Sequence, residues 1–334
     1  MLGNGKSELR FFADRVRHGI DIIDPIDPIS TCYSNEIAWY LLTCMNSSMK
    51  APKNTPINSR RRVRVAISII ALALIAYSAV CAAFYLWQEG LVFEPERGLV
   101  RTPRAVGLAY EDLTLTTADG VALAAWFVPG GPQGRTILLL HGNGGNISHY
   151  LRTLLVLHQL GHAVLAVDYR GFGRSAGVPS ESGTYRDAEA AFDYLVRQRR
   201  LAPANIVVYG RSLGGAVATW LAAHRRPGGL ILESTFTRLV DLGALRYPWL
   251  PVALLSRFEY DSAVQIRRVR CPVLVAHGRA DGTVPFRFGR ALAAQASPAA
   301  DFVALPGGHN DAFLRGGPTY YQHLDAFIRR VGTP

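Results

Sequence analysis

The strongest constraint on the fold is a serine held between two glycines, where an apolar strand-like run meets a helix-like run. Residues 206–209 read Ile-Val-Val-Tyr, and residues 210–214 read Gly-Arg-Ser-Leu-Gly with Ser212 at the centre. A serine on so tight a turn needs small neighbours, because its backbone is strained and adjacent segments approach closely. The pattern is typical of a nucleophile elbow, in which the following helix points backbone N–H groups at an anion beside the serine.

Strand-like and helix-like stretches alternate through the rest of the chain. Residues 110–117 and 121–128 predict an antiparallel hairpin. Further strands are predicted over residues 136–140, 163–167, 205–209, 229–232, 273–276 and 302–305, and helices over residues 148–160, 184–200, 213–224, 286–296 and 311–330. Such alternation predicts an α/β fold, with a mostly parallel sheet covered by helices on both faces.

A serine becomes a good nucleophile only when a base accepts its proton, so the chain needs a histidine near Ser212. Among nine histidines, His309 follows the last predicted strand directly, in the Gly-Gly-His-Asn-Asp turn of residues 307–311. That turn opens at the carboxyl edge of the sheet, beside the serine. The order serine, acid, histidine also belongs to this motif, so His309 is the predicted base.

An acid is needed to orient that histidine and to stabilise its charged form. Asp281 lies just after a late predicted strand and before Gly-Thr-Val-Pro, which is the expected place. Rival acids are Asp168 and Glu233, which follow earlier strands and break the order, and Asp311, which is very near His309 in sequence. Asp281 is therefore the predicted orienting acid, with a plain turn residue as its alternative role.

Two backbone donors are needed for an oxyanion. The N–H of Leu213, which follows the serine, is predicted as one donor. The Gly-rich residues 141–146, His-Gly-Asn-Gly-Gly-Asn, follow an early strand, and the N–H of Asn143 is predicted as the second. A merely flexible turn is the alternative; a phosphate-binding loop is disfavoured because no Lys-Ser or Lys-Thr follows.

Residues 65–87 form an uncharged apolar run preceded by arginines at positions 60–62 and 64. We predict a transmembrane helix over residues 63–88, because this run can span a bilayer and ends in aromatic residues typical of an interface. The arginines predict a cytosolic N-terminus and an extracytoplasmic catalytic domain. A cleaved signal peptide and a buried core helix are the alternatives.

The predicted domains follow from these segments. Residues 1–62 are a tail, of which residues 1–48 read as an upstream extension or a disordered cytosolic segment; residues 89–109 are a linker. Residues 110–334 form the globular domain, with an apolar insertion at 234–270 that reads as a lid or as a connecting helix. The four cysteines show no metal or disulfide spacing, so no metal is predicted. The net charge is +11. Apart from the arginine cluster beside the apolar run, the positive charge of the globular domain comes from arginines spread along its sequence, so no nucleic-acid partner is predicted.

Together the motifs resemble the α/β-hydrolase superfamily, and more narrowly its membrane-anchored branch of esterases, thioesterases and serine-aminopeptidase-like proteins. The resemblance covers residues from about 110 to 330. The matching stretches are residues 141–146, 168–177, 210–215, 233–236, 281–285 and 307–311. Members of this branch include lysophospholipases and protein depalmitoylases.

The resemblance implies an eight-stranded α/β-hydrolase sheet and hydrolysis of carboxylic esters or thioesters through an acyl-serine, with no cofactor. The apolar insertion and the membrane helix point to an apolar acyl part, carried by a small-molecule or lipid substrate. One alternative is an exopeptidase that grips a free amine with Glu233 or Glu259, although the His-Gly-Gly-Pro-Gly loop of similar proline iminopeptidases is lacking. Another is a non-catalytic binding protein, against which the complete set of serine, acid and histidine argues.

Overall fold

The computed structural model describes residues 59–331, so the predicted tail up to residue 58 lies outside the described residues. By its contacts the chain divides into two units, residues 1–69 and residues 70–334. The described part of the first unit is the beginning of one long helix. The remainder of that helix and the whole central sheet belong to the second unit.

Helix α1 comprises Ser59–Val92. It extends beyond the predicted segment at both ends, and its 34 residues correspond to about 51 Å of helix. Its most apolar part is entirely exposed, unlike the core helix of a globular protein. By length and composition, α1 can cross a membrane.

The strands of the second unit differ in burial: those at the centre of the sheet are runs of Val, Ile, Leu and Ala buried on both sides, as expected for a covered parallel sheet, whereas those at its edges are partly exposed. They are β1 (Glu94–Pro95), β2 (Glu111–Thr116), β3 (Ala122–Val128), β4 (Thr136–Leu140), β5 (Gly144–Gly145), β6 (Ala163–Val167), β7 (Ile206–Arg211), β8 (Gly229–Glu233), β9 (Val273–Gly278) and β10 (Asp301–Leu305). Eight of them form one sheet in the order β10-β9-β8-β7-β4-β6-β3-β2, while β1 pairs separately with β5. Strand β3 runs antiparallel to both β2 and β6, and the other neighbours in the sheet are parallel.

Helices cover both faces of this sheet, and other short helices lie in the insertion at residues 234–270. They are α2 (Leu151–Gln159), α3 (Glu181–Asp193), α4 (Leu213–Arg225), α5 (Leu239–Arg246), α6 (Val252–Leu255), α7 (Ser262–Ile266), α8 (Arg287–Gln295) and α9 (Ala312–Arg330). Alternate residues of a strand enter two separate apolar cores: Leu138 and Leu140 pack with α3, α4 and α8, whereas Ile137 and Leu139 pack with α2 and α9. The predicted mostly parallel sheet with helices on both faces is confirmed.

Two local differences from the predicted elements have physical causes. Helix α3 begins earlier than residue 184, because the Ser180 side chain accepts a hydrogen bond from the Gly183 N–H and caps the helix at Glu181. The insertion at residues 234–270 holds the three short helices α5, α6 and α7. The predicted domain boundaries stay a prediction, although Phe93 and Leu108 of the predicted linker are buried in the apolar cores.

Candidate active site

Ser212 lies between the end of β7 and the start of α4, in a backbone conformation that residues other than glycine rarely adopt. Its φ is 54° and its ψ is −121°. Such a conformation is strained for a residue with a Cβ and persists only where the surroundings impose it. Here the Ser212 N–H donates to the Glu233 carbonyl oxygen at 2.9 Å, and the Thr235 hydroxyl donates to the Ser212 carbonyl oxygen at 2.7 Å. The turn is therefore clamped from the neighbouring strand β8.

The glycines around Ser212 are required by close packing. A Cβ on Gly210 would lie 2.2 Å from the Gly214 carbonyl oxygen, and a Cβ on Gly214 would lie 2.2 Å from the Leu140 carbonyl oxygen. A Cβ on Gly215 would lie 2.5 Å from the Thr235 side chain. All three distances are far below van der Waals contact, so larger residues would push α4 away from the sheet.

His309 lies in the loop between β10 and α9 and reaches Ser212 from the far end of the sequence. Its Nε2 is 3.0 Å from the Ser212 Oγ, and its Nδ1 is 2.8 Å from the Asp281 Oδ2. The structure thus brings together the three residues that the sequence selected as nucleophile, base and orienting acid. Their mutual distances are those of hydrogen bonds along one chain from acid to serine.

Asp281 is held as a charged acceptor in the turn after β9. Burial alone would raise its pKa, but hydrogen bonds from His277 and His309 and from the Val284 N–H outweigh burial, so that the pKa is lowered. Its Oδ1 accepts the N–H groups of Thr283 and Val284 at 2.9 and 2.8 Å. Because a carboxylate only accepts, the Nδ1 of His309 carries the proton, which leaves Nε2 free to accept the proton of Ser212.

His277 is a second histidine beside Asp281, and its role is different. Its Nε2 is 2.8 Å from the Val284 carbonyl oxygen, which can only accept, so Nε2 carries the proton. The same nitrogen is 3.3 Å from the Asp281 Oδ2. The ring is fully buried. His277 therefore contacts the Asp281 carboxyl group from inside the protein and does not face a substrate.

The rival acids all have other partners. Asp168 accepts a hydrogen bond from the Ile147 N–H at 2.7 Å, and burial raises its pKa to about 7. Glu233 is buried and accepts a hydrogen bond from the Tyr209 hydroxyl. Asp311 accepts from the Gly308 N–H at 2.6 Å. Of the four candidate acids, Asp281 is the one whose carboxyl group contacts His309.

Arg211, which directly precedes the serine, is a residue of the site that the sequence argument missed. Its Nη2 donates to the His309 carbonyl oxygen at 2.8 Å, and its Nε lies 3.4 Å from the Glu233 Oε1. Burial opposes its charge, but Glu233 outweighs burial and the pKa of Arg211 is raised. The sequence signal that could have identified it is the permanent charge of this arginine in a turn whose other residues are small or uncharged.

The predicted oxyanion donors lie on the two elements that flank Ser212. Leu213 is the first residue of α4. The loop that contains Asn143 passes close to the serine, since a Cβ on Gly142 would lie 3.4 Å from the Ser212 Cβ. The Tyr150 hydroxyl accepts the Gly142 N–H at 2.8 Å, so that N–H is occupied and the N–H of Asn143 is the next along the loop.

The segment after α1 holds this loop from outside. The Glu94 N–H donates to the Asn143 carbonyl oxygen at 2.9 Å, and the Glu96 N–H donates to the Gly145 carbonyl oxygen at 3.1 Å. In return, the Asn146 side chain donates to the carbonyl oxygens of Glu96 and Gly98. The loop beside Ser212 is therefore braced by residues that follow the apolar helix.

Among residues 59–331, no group of His, Cys, Asp and Glu side chains has the arrangement of a metal site. The chemistry available at Ser212 is that of a hydroxyl, an imidazole and a carboxylate in sequence. Such an arrangement can deprotonate the hydroxyl as it attacks a carbonyl carbon.

Several known proteins are similar to this chain in sequence or in fold. A family model described as serine aminopeptidase, S33, matches residues 131–264. The Arabidopsis thaliana alpha/beta hydrolase domain-containing protein WAV2 is 36% identical over 276 residues, which are 75% of this chain and 90% of the relative. The chain belongs to the α/β-hydrolase superfamily. An uncharacterized membrane protein of Saccharomyces cerevisiae is 31% identical to this α/β-hydrolase over 263 residues, 75% of this chain and 92% of the relative.

A solved esterase structure from Pyrococcus furiosus superimposes on this α/β-hydrolase with a TM-score of 0.61 at 23% identity. It covers 72% of this chain and 100% of the esterase. At that identity the likeness shows the shared fold. Family and fold together indicate that the protein is a hydrolase.

Proposed function

We propose that this α/β-hydrolase cleaves carboxylic esters or thioesters of apolar acyl groups through an acyl-serine intermediate formed on Ser212. The observation that carries the proposal is the position of His309, whose two ring nitrogens lie 3.0 Å from the Ser212 Oγ and 2.8 Å from the Asp281 Oδ2. One imidazole can thus accept the serine proton while the carboxylate stabilises the resulting positive charge.

In the first half-reaction the Ser212 Oγ attacks the substrate carbonyl carbon and its proton moves to the His309 Nε2. The carbonyl oxygen becomes an oxyanion, which the N–H groups of Leu213 and Asn143 stabilise. The bond to the leaving oxygen or sulfur then breaks as the protonated His309 returns its proton to that atom. The products are an alcohol or thiol and an acyl group esterified to Ser212.

In the second half-reaction water takes the place of the departed alcohol or thiol. His309 accepts a proton from the water as its oxygen attacks the acyl-serine carbon. The tetrahedral intermediate collapses, the bond to the Ser212 Oγ breaks, and His309 returns the proton to that oxygen. A carboxylic acid leaves and the starting enzyme is restored, so the cycle needs no cofactor.

An apolar acyl group is supported by the insertion at residues 234–270. It follows the carboxyl end of β8, the strand that clamps the Ser212 turn. Its side chains Leu239 and Leu242 pack against the apolar core. Its exposed side chains include the large apolar groups of Leu245, Trp249 and Leu254. We assign this insertion the role of a lid over the catalytic edge, with an apolar inner side suited to an acyl chain.

We further propose that α1 anchors the enzyme in a membrane, with its N-terminus in the cytosol and the catalytic domain on the other side. The apolar exposed surface of α1, the preceding arginines at residues 60–62, and the name of the yeast relative support this arrangement. Retention of the helix is supported by Phe93, which is buried next to its end. A reporter enzyme fused after Pro334 that is active only in the cytosol would contradict the orientation.

An aminopeptidase is the second candidate, favoured by the description of the matching family model. Such an enzyme needs a carboxylate to bind the free amine of its substrate. Of the two glutamates suggested by the sequence, Glu233 is buried against Tyr209 and Arg211, which leaves the exposed Glu259. We rank this function second because the exposed side chains of the insertion include Leu245, Trp249 and Leu254, which suit an apolar acyl group better than a free amine.

One experiment separates these functions and a non-catalytic protein. The full chain and its Ser212→Ala variant are treated with a fluorophosphonate probe and assayed with p-nitrophenyl esters of increasing acyl length and with aminoacyl anilides. Ser234→Ala is the matched control, because Ser234 is a buried neighbour with its own positive φ. We expect labelling and ester turnover that grow with acyl length and vanish only in Ser212→Ala; labelling that survives Ser212→Ala would refute the nucleophile, and anilide turnover alone would favour the aminopeptidase.

A further inference from the structure

The insertion is in contact with the C-terminal half of α1. The Tyr77 hydroxyl donates to the Trp249 carbonyl oxygen at 2.9 Å. About two turns before the helix end, the rings of Phe84 and Tyr247 meet edge to face with their centroids 5.6 Å apart. The segment between α5 and α6 therefore lies along a helix whose surface is otherwise apolar and exposed.

The same contact ends in polar groups near the last turns of α1. The buried side chain of Gln88 donates to the Leu255 carbonyl oxygen at 3.1 Å and accepts the Arg257 N–H at 2.7 Å. The Arg257 guanidinium lies 3.3 Å from the Glu89 carboxyl group. The charged end of the contact thus coincides with the point at which the uncharged run of α1 stops.

These contacts set the depth of the insertion relative to α1. Tyr77 and Glu89 are separated by about 18 Å along the helix axis. The hydrocarbon core of a bilayer is about 30 Å thick, so one leaflet contributes about 15 Å. If the charged end of the contact lies at the headgroups, Trp249 reaches through the leaflet on the side of the catalytic domain.

Hydrogen bonds along the contact pair polar groups that lipid would otherwise leave without a partner. In lipid, each polar group must find a partner inside the protein, because water is absent. The Tyr77 hydroxyl and the Trp249 carbonyl satisfy each other, and the Gln88 amide is satisfied by the backbone of Leu255 and Arg257.

The outward side chains of the insertion are large and apolar. Leu245, Trp249 and Leu254 are 48%, 58% and 85% exposed. Residues 242–258 contain no aspartate or glutamate, and their only charges are Arg246 and Arg257. Exposed apolar groups with arginine as the only charged residue suit a lipid surface, in particular one with anionic headgroups.

We propose that residues 242–257, here called the insertion tip, lie within the lipid leaflet that faces the catalytic domain. The occupant is lipid because the exposed side chains of Leu245, Trp249 and Leu254 belong to a segment that contacts the apolar run of α1, a helix that can cross a membrane, and the segment has no acidic residue. The proposal rests on α1 crossing the membrane. It makes the insertion a membrane-embedded element next to Ser212, so that acyl chains of bilayer lipids lie at the catalytic edge.

The test measures lipid contact and not catalysis, so that its failure is separate from a failure of the proposed ester hydrolysis. The full chain, with Cys32, Cys44, Cys81 and Cys271 replaced by alanine, is inserted into nanodiscs of phosphatidylcholine and phosphatidylglycerol. A fluorophore is attached at Leu254→Cys or Leu245→Cys. The matched control is Ala202→Cys, which is also exposed but precedes the amino end of β7, at the edge of the sheet opposite the insertion. Quenching by nitroxide-labelled lipid chains and by aqueous iodide is then compared.

We expect the labels at positions 254 and 245 to be quenched by the nitroxide lipids and shielded from iodide, and the label at position 202 to behave in the opposite way. Iodide quenching at 254 and 245 equal to that at 202 would overturn the proposal. Shielding from iodide without quenching by lipid would also overturn it, because a second copy or another protein would then cover the tip. Two labelled positions guard against one variant that fails to fold, which circular dichroism would reveal.

Discussion

The guanidinium of Arg211 donates a hydrogen bond to the backbone carbonyl of His309, with 2.8 Å between Nη2 and the carbonyl oxygen. Arg211 is adjacent to Ser212 in sequence, whereas His309 lies 98 positions away from it. The contact therefore ties the loop that carries the imidazole to the turn that carries the hydroxyl. Glu233, beside the Arg211 Nε, completes this brace.

The first prediction concerns that brace. Arg211→Met should lower kcat by about ten- to a hundredfold with little change in KM, because a small displacement of His309 weakens proton transfer. It should also destabilise the protein by about 3 to 5 kcal/mol, because Glu233 would be left buried without its cation. Ester kinetics and thermal unfolding measure the two effects.

The double variant Arg211→Met/Glu233→Gln separates them. It removes the unpaired acid, so stability should recover while kcat stays low. Recovery of kcat together with stability would mean that Arg211 only balances the charge of Glu233 and does not position His309.

The second prediction concerns the orienting acid. Asp281→Asn should lower kcat by about four orders of magnitude, because the asparagine amide can donate to the His309 Nδ1 and favour the wrong tautomer. Asp311→Asn is the matched control, since it keeps an oxygen that can accept the Gly308 N–H. Asp311→Asn should retain most of the activity; an equal loss in both variants would argue against a special role of Asp281.

The third prediction concerns pH and the buried acid under the loop of residues 141–146. Burial raises the pKa of Asp168 from its usual value of 3.8 to about 7, and its Oδ2 has no hydrogen-bond partner among residues 59–331. The folded state therefore holds this proton more tightly, so its contribution to stability is full below pH 3.8 and is lost as the pH rises to about 7. Burial lowers the pKa of His141 to about 4. The folded state therefore disfavours the protonated imidazole, and His141 reduces the stability of the protein as the pH falls toward 4.

Asp168→Asn removes the titration of the acid and leaves His141 in place. The variant should gain stability relative to the wild type as the pH is raised, by up to about 4 kcal/mol above pH 7. Thermal unfolding of both proteins between pH 4 and pH 8 measures the difference. A difference that does not change with pH would show that the carboxyl group of Asp168 is not desolvated in the folded protein.

The fourth prediction concerns the packing of the elbow. Gly214→Ala would place a Cβ 2.2 Å from the Leu140 carbonyl oxygen, and should destabilise the protein by about 3 kcal/mol through overpacking. Gly282→Ala is the control, because its Cβ would meet nothing within 4 Å. Equal unfolding temperatures for the two variants would contradict the close approach of α4 to β4.

Much of this molecule could be predicted from local patterns. The apolar runs, the hairpin turn and the helical stretches define the α/β fold, because the spacing of apolar residues differs between buried strands and helices. Ser212, Asp281 and His309 were found because each follows a strand, and the carboxyl ends of parallel strands meet at one edge. The structure brings these three side chains together, and their catalytic roles stay predictions.

Other relationships left no local signal. The bond between Tyr77 and Trp249 joins residues 172 positions apart, and neither the helix nor the insertion shows a pattern that requires it. In the sequence His277 is simply the end of a predicted strand. Its contacts with the Val284 carbonyl oxygen and with Asp281 depend on how the loop after that strand folds back. Contacts of this kind depend on how distant elements assemble, which periodicity does not encode.

The pairing of residues 94–98 with the loop at residues 143–146 limits how the enzyme can be released from its helix. Cleavage before Phe93 leaves that pairing whole, so the detached domain keeps the support of its Gly-rich loop. Cleavage after Gly98 removes the donors that the carbonyl groups of Asn143 and Gly145 use, as well as the acceptors of Asn146. A shed or engineered soluble form must therefore begin ahead of the short strand at Glu94, and a protease that cuts a few residues later would inactivate the protein as it frees it.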